Sequence, residues 1–327
     1  MIKQTRIIRN HIVDLLRGVR SAVRLRPLAA MAGCAVLLLG CATRPPPPVP
    51  VPPVPAEVRP VAPPPSRPPR IALVLGGGAA RGFAHIGVIQ VLEEAGVRPD
   101  MVVGTSAGSL VAAIYASGKG GRQLQQIALE MEEAMLTDWT LPLFNRGVLR
   151  GEALARYVNQ QVAGRPMEQL ELPLGIVATD LRSGEGILFR RGDTGAAVRA
   201  SSAVPSVFQP VRIGTREYVD GGLVAPVPVH YARTMGAELI IAVNISSEPG
   251  SNPADGPLQV LLQTFNIMGK SINRFELRDA DVVVRPELGG VGSADFTARR
   301  RSIDAGRAAM QAAMPVFRAR LGAFRAG

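Results

Sequence analysis

The stretch MVVGTSAGSLVAAIYA, residues Met101 to Ala116, decides how this chain is read. Met101–Val103 is apolar without alternation, as in a strand buried on both faces, and Ser109–Ala116 has the texture of a helix. Between them lies Gly104-Thr105-Ser106-Ala107-Gly108, a G-x-S-x-G pattern on a strand-to-helix turn. A nucleophile on so sharp a turn takes a strained backbone, and its neighbours two places away must be small to avoid clashing. The following helix sets a positive dipole end beside Ser106, which favours a developing oxyanion. The competing reading is a serine that only caps a helix between glycines.

Outward from this turn, short apolar runs alternate with helical patterns. Ile71–Leu75, Leu174–Thr179, Leu239–Val243 and Asp281–Val284 read as further buried strands, and Gly186–Phe189 and Glu217–Val219 as shorter, antiparallel ones. Helical patterns fall at 83–95, 107–117, 122–135, 151–163, 193–200, 228–235, 258–278 and 302–322. That order predicts an α/β fold, a three-layer sandwich with a mostly parallel central sheet flanked by helices. No internal repeat is present.

Strand Ile71–Leu75 runs into Gly76-Gly77-Gly78-Ala79-Ala80-Arg81-Gly82. Consecutive glycines let backbone N–H groups turn toward an anion, either a cofactor pyrophosphate or the oxyanion of an ester transition state. Tyr115 and Lys119 form the Y-x-x-x-K of short-chain dehydrogenases, but they lie on the helix that starts at Ser106, too early in the chain for that family. Tyr218-Val219-Asp220-Gly221-Gly222 ends a short strand on a glycine turn; alone, Asp220 would be read as stabilising that turn.

The formal charge of +11 is unevenly spread. Residues 1–40 carry +6 and residues 41–70 carry +3, leaving +2 for residues 71–327, so no nucleic-acid footprint is present. The only cysteines, Cys34 and Cys41, precede the body of the protein, which excludes a disulfide framework or a cysteine zinc site there. With three histidines, one of them His11 near the start, a histidine-rich metal site is excluded as well.

Residues 1–40 read as a signal peptide, basic to residue 27 and then apolar up to Leu38-Leu39-Gly40-Cys41. Small residues before a cysteine resemble the bacterial lipobox, in which the thiol receives diacylglycerol, so Cys41 is the expected lipidation site. Cys34 sits in a weaker copy of the motif. Ala42 after the cysteine, rather than an aspartate, favours the outer membrane of a two-membrane host, with the domain on the periplasmic side. Residues 41–70 hold 14 of the 28 prolines and read as a semi-rigid linker, roughly 80–90 Å long if fully extended. The expected organisation is signal peptide 1–40, lipidated linker 41–70 and one domain 71–327.

Together the glycine loop, the elbow and Asp220-Gly221-Gly222 resemble the patatin-like phospholipases, from Ile71 to at least Val243. Ala200-Ser201-Ser202-Ala203-Val204-Pro205 matches their A-S-x-x-x-P block, Asp180 sits where bacterial members often have an aspartate, and Gly147-Val148-Leu149-Arg150-Gly151 resembles their G-L-x-x-G stretch. Two departures are an extra alanine in the glycine loop (Ala79-Ala80) and Ala225 in place of an asparagine. The resemblance implies a Ser106–Asp220 dyad in a serine acyl-ester hydrolase that acts through an acyl-enzyme. It also implies oxyanion donors at Gly77, Gly78 and Ala107, supporting roles for Gly76, Arg81, Gly82, Gly104, Gly108, Gly221 and Gly222, and no metal or organic cofactor. The implied substrate is a phospholipid, a lysophospholipid or another fatty-acyl ester. A catalytically silent lipid-binding or scaffolding lipoprotein on the same fold is the alternative.

Ser106, Asp220 and His230 also occur in triad order, but His230 follows Asp220 by only ten residues and would have to fold straight back. His85 falls in an apolar helix and reads as a local packing or hydrogen-bonding group. Arg81 is expected to orient the glycine loop or to meet a lipid phosphate. Trp139, Leu141, Leu143 and Phe144 form an apolar cluster that reads equally as a lid or a core contact. Leu258, Leu261, Leu262, Phe265, Met268, Ile272 and Phe275 have helical spacing and read as a core face rather than an acyl groove. Arg299-Arg300-Arg301 reads as a solvated helix start, or else as a contact for anionic lipid.

Overall fold

The computed structural model describes residues 67–131, 147–247, 255–292 and 295–326. All of them fall in the compact unit Ala62–Gly327. The signal segment, Cys41, most of the proline-rich stretch and the Trp139–Phe144 cluster lie outside the described residues.

The central strands form where the sequence is apolar throughout. β1 (Ile71–Leu75), β2 (Met101–Thr105), β4 (Leu174–Asp180) and β9 (Leu239–Val243) are buried at every position. β5 (Gly186–Phe189), β8 (Arg216–Asp220) and β10 (Val282–Val284) complete the expected set, and β7 (Val211–Ile213) is an edge strand that the sequence did not signal. The sheet order is β10-β9-β1-β2-β4-β8-β7, with β5 also paired to β4. β10, β9, β1, β2 and β4 run parallel, while β5, β7 and β8 are antiparallel to their neighbours. A separate two-stranded pair joins β3 (Gly147–Leu149) to β6 (Ser206–Phe208).

Alternate residues of β1 feed two cores. Leu73 and Leu75 pack with α1 (Ala84–Glu94), α2 (Ala107–Ala116) and the long C-terminal helix α8 (Arg299–Ala326). Ala72 and Val74 pack against the segment around α6 (Val229–Thr234). Each fully buried Leu or Ile contributes about 1.5–3 kcal/mol, so both faces stabilise the sandwich. α3 (Gly121–Glu130) packs on α1, α2 and α8, while α4 (Glu152–Gln161) packs on α5 (Thr194–Ser201), which covers β4 and β8.

Two helical expectations change. α8 starts at Arg299 rather than residue 302 and uses the arginines: Arg299 lies over the Phe83 ring and donates to Met131 O, and Arg301 donates to Gly290 O. Arg300 and Arg301 stay exposed, as expected of the run, and only Arg299 is drawn in. α7 (Pro257–Glu276) is not a core helix; it packs on the Gly221–Leu223 turn, and Met268 and Phe275 are exposed. Lying over a turn instead of flat on the sheet, it leaves Val260, Ile267, Met268 and Phe275 exposed.

Candidate active site

The site follows from how β4 shares its edges. Ile176 and Val177 pair with β2 on one side and β5 on the other, whereas Ala178 and Thr179 pair with β8 and β5. β2 and β8 therefore occupy the same edge of β4, arriving from opposite directions. Thr105 ends β2 opposite Val177, and Asp220 ends β8 opposite the next residue, Ala178. The turns that leave these two strands are forced together, and they carry Ser106 and Asp220.

Ser106 adopts φ 52° and ψ −123°, a left-handed-side conformation that a residue with a side chain rarely takes. Surrounding backbone imposes it. A Cβ at Gly108 would lie 2.1 Å from Leu75 O, and one at Gly104 would lie 2.5 Å from Gly108 O. The Ser106 N–H donates to Ser201 Oγ at 2.8 Å, and the Ser201 hydroxyl donates to Val177 O at 2.6 Å. Thr105 Oγ1 donates to Ala225 O at 2.9 Å, tying the elbow to the segment after the aspartate turn. Ala225 itself is buried in the second core and lines neither cavity at Ser106.

Asp220 is buried and accepts from Gly222 N–H at 2.6 Å, and it lines the same cavity as Ser106. Burial pushes its carboxyl up to about 6 from an ordinary 3.8, against the lowering effect of the Gly222 N–H and the Ser106 hydroxyl. A carboxylate so placed is a better proton acceptor than one in water. Thr179 Oγ1 holds the Asp220 carbonyl at 2.8 Å. The side chain of Asp180, by contrast, serves a turn: Oδ1 accepts from Arg182 and Ser183 N–H, and Oδ2 pairs with Arg216.

The glycine loop abuts the elbow, since a Cβ at Gly77 would stand 3.2 Å from Ser106 Cβ. One expected oxyanion donor does not fit. The Gly77 N–H donates to Pro226 O at 2.9 Å, and Gly76 N–H to Val243 O at 3.0 Å. The N–H groups of Gly78 and Ala107 donate to no acceptor among the described residues; Ala107 opens α2, where no intrahelical acceptor exists. Those two remain for an oxyanion. Arg81, 5% exposed, donates from Nε to Gly78 O at 3.2 Å, and burial pulls its guanidinium down to about 10, still cationic near neutrality.

Neither described histidine supplies a third member. His85 is fully buried, its Nε2 donates to Gly76 O at 2.8 Å, and desolvation holds the ring down to about 4, so it is a neutral brace of the loop. His230 is exposed on α6, its N–H bonded to Glu276. Tyr115 is buried, and Lys119 Nζ is committed to Gln161; neither lines the cavities at Ser106. Among the described residues no cluster of His, Cys, Asp and Glu could hold a metal.

Two cavities meet at Ser106. One, of about 410 Å³, is walled by Phe83, Ile86, Leu110, Val111, Ile114, Leu154 and other apolar side chains. The second, of about 190 Å³, sets Arg81, Asp220, Ser246, Ser247 and Asn266 among apolar side chains such as Val204 and Phe265. Leu262 of α7 borders both. Sequence reasoning missed the bracing role of Ser201 and the polar wall at Ser246–Ser247. The first lay in a quoted block without a partner to give it meaning, and the second carries no motif at all.

The family model of the patatin-like phospholipases matches residues 73–233. An uncharacterized NTE family protein of Mycobacterium tuberculosis is 35% identical over 206 residues, covering 63% of this chain and 57% of that protein. Patatin-like phospholipase domain-containing protein 6 of Mus musculus is 36% identical over 186 residues, 54% of this chain and 14% of that protein. The chain thus spans little more than half the length of the mycobacterial relative and a small part of the mouse one. The crystal structure of VipD from Legionella pneumophila shares the fold, with a TM-score of 0.50, 17% identity and coverage of 76% of this chain and 67% of that chain. The motifs, the α/β sandwich and these matches agree: the chain belongs to the patatin-like phospholipase family.

Proposed function

We propose that this chain is a lipid acyl-ester hydrolase in which Ser106 and Asp220 act as a dyad. The observation that carries the reading is the junction at Ser106, where an apolar cavity meets a second cavity that holds the buried Asp220 carboxylate and the Arg81 guanidinium. A volume of about 410 Å³ lies within the usual range of small-molecule sites, about 300–1,000 Å³, and its apolar walls suit a fatty-acyl chain. The alcohol portion of the ester, with a phosphate in a phospholipid or lysophospholipid, would face Arg81 in the second cavity.

Asp220 accepts the Ser106 hydroxyl proton as Oγ attacks the ester carbonyl carbon. The oxyanion so formed is held by the N–H groups of Gly78 and Ala107 at the positive end of α2. Collapse breaks the bond to the alcohol, which leaves with the proton from Asp220, and the acyl group stays on Oγ. Water then attacks the acyl-enzyme, gives its proton to Asp220, and the fatty acid departs as the proton returns to Oγ. The dyad needs no cofactor.

A fluorophosphonate probe tests this directly. Covalent labelling of the wild type and none of Ser106→Ala is the expected result, and the products released from a mixed lipid extract would name the ester. Absence of labelling in the wild type would instead favour a silent lipid-binding scaffold. We further read Cys41 as the lipid attachment point that holds the domain at a membrane, on the periplasmic side of an outer membrane. Metabolic incorporation of an alkyne fatty acid, lost in Cys41→Ser, is the expected outcome.

A further inference from the structure

α7 has two sides with different chemistry. Its inner side carries Leu262, Phe265, Asn266 and Gly269, which line the cavities at Ser106. Its outer side repeats at helical spacing through Val260, Ile267 and Phe275, which are 52%, 54% and 64% exposed, with Met268 beside them at 47%. Thr264 and Ser271 fill the turns between, and both are exposed. Four large apolar side chains in one stripe on a single helix are more than the isolated exposures normal for a surface.

Charge on the same helix narrows the partner. Lys270 and Arg274 are exposed along one flank, and Arg278, just past the C-terminus, lies over the Phe275 ring at 5.1 Å. The only carboxylate on α7 is Glu276, half-buried and accepting from His230 N–H. An apolar stripe edged with cations, with no exposed acid within α7 and Asp255 and Asp279 only beyond its two ends, fits an interface of acyl chains and anionic headgroups. A second copy of the chain fits poorly, because a two-fold pairing through α7 would set its cations against one another.

We infer that the outer face of α7 docks on an anionic lipid surface, bringing the helix that walls the Ser106 cavities to the layer that contains its substrate. This contact is separate from the lipid at Cys41. The inference rests on the lipid-ester reading of the cavities, and its test has a readout that needs no catalysis.

The full chain carrying Cys34→Ser, Cys41→Ser and Ser271→Cys would be labelled at residue 271 with an environment-sensitive fluorophore. Mixed phosphatidylcholine–phosphatidylglycerol vesicles should shift its emission to the blue, with partitioning about tenfold or more stronger than onto phosphatidylcholine alone, and weaker in high salt. Adding Val260→Ser, Ile267→Ser and Phe275→Ser should lower that partitioning about tenfold or more. The same triple variant should hydrolyse a dissolved short-chain ester within about twofold of the parent, since these side chains line neither cavity. No blue shift on anionic vesicles, or unchanged partitioning of the triple variant, overturns the inference. A blue shift that grows with protein concentration in the absence of vesicles also overturns it, in favour of a second copy. A blue shift in a protein that hydrolyses no ester leaves the docking face standing and removes the proposed function alone.

Discussion

The turn after β2 and the turn after β8 end side by side on one edge of β4, yet they are built in opposite ways. The first is strained: Ser106 holds φ 52°, and backbone stands where any Cβ at Gly104 or Gly108 would go. The second is relaxed: Asp220 has φ −49° and ψ 132°, and its own side chain caps the turn through Gly222 N–H. Ser106 is thus positioned by steric exclusion, and Asp220 by hydrogen bonds and burial. Steric devices tolerate no change, whereas a hydrogen-bonded turn can lose function while keeping its shape.

The largest expected effect separates the two members chemically. Ser106→Ala and Asp220→Asn should each lower kcat by about 10⁴-fold or more, measured on a dissolved ester. They should differ in stability. The folded-state value of Asp220 lies above the ordinary one, so its contribution to stability is full below pH 3.8 and is lost as pH rises through about 6. Asp220→Asn should therefore be inactive and yet more stable than the wild type above pH 6, by about 2–3 kcal/mol, in denaturant melts. The gain should fade toward pH 4. A wild-type advantage at pH 8 would sink this account of the buried carboxylate.

Next in size is the contrast between glycines of the two turns. Gly108→Ala sets a methyl group 2.1 Å from Leu75 O, a backbone atom of a buried strand, and should destabilise by about 3 kcal/mol or more. Gly222→Ala meets only Asp220 Oδ1, at 2.9 Å, and should fold normally while kcat falls. Circular dichroism melts beside ester kinetics check both. Equal loss of fold in the two variants would erase the distinction between a steric and a hydrogen-bonded turn.

A smaller effect is the pH profile. With Asp220 as base, kcat/KM should rise about tenfold per unit below pH 6 and level off above it. Asp220→Glu, if active, should move the inflection. Smallest is Ser201→Ala, which strips the acceptor from Ser106 N–H and a bond from Val177 O. A loss of about 1–3 kcal/mol is expected, with kcat reduced more than KM is raised.

Much of this was legible beforehand. The buried strands announced themselves through runs such as Ile71–Leu75, and the elbow through glycines whose spacing only a tight turn requires. β3, β6 and β7 did not, because three-residue strands gain their stability from partners far along the chain, as when Gly147 pairs with Ser206. Gly77 was misjudged for the same reason. A run of three glycines promises free N–H groups, but Pro226, some 150 residues later, takes one of them. α7 was misjudged because helical spacing shows that a helix has an apolar side, not what lies against it.

The sequence by itself determined the sandwich, the strained serine turn and the glycine loop, since each depends on the sterics of neighbouring residues. Only the tertiary structure decided how Asp220 is carried to Ser106, which N–H groups of the glycine loop find an acceptor, and which side of α7 is exposed. Those outcomes belong to pairings across the sheet edge and between distant segments, and no local stretch of residues carries them.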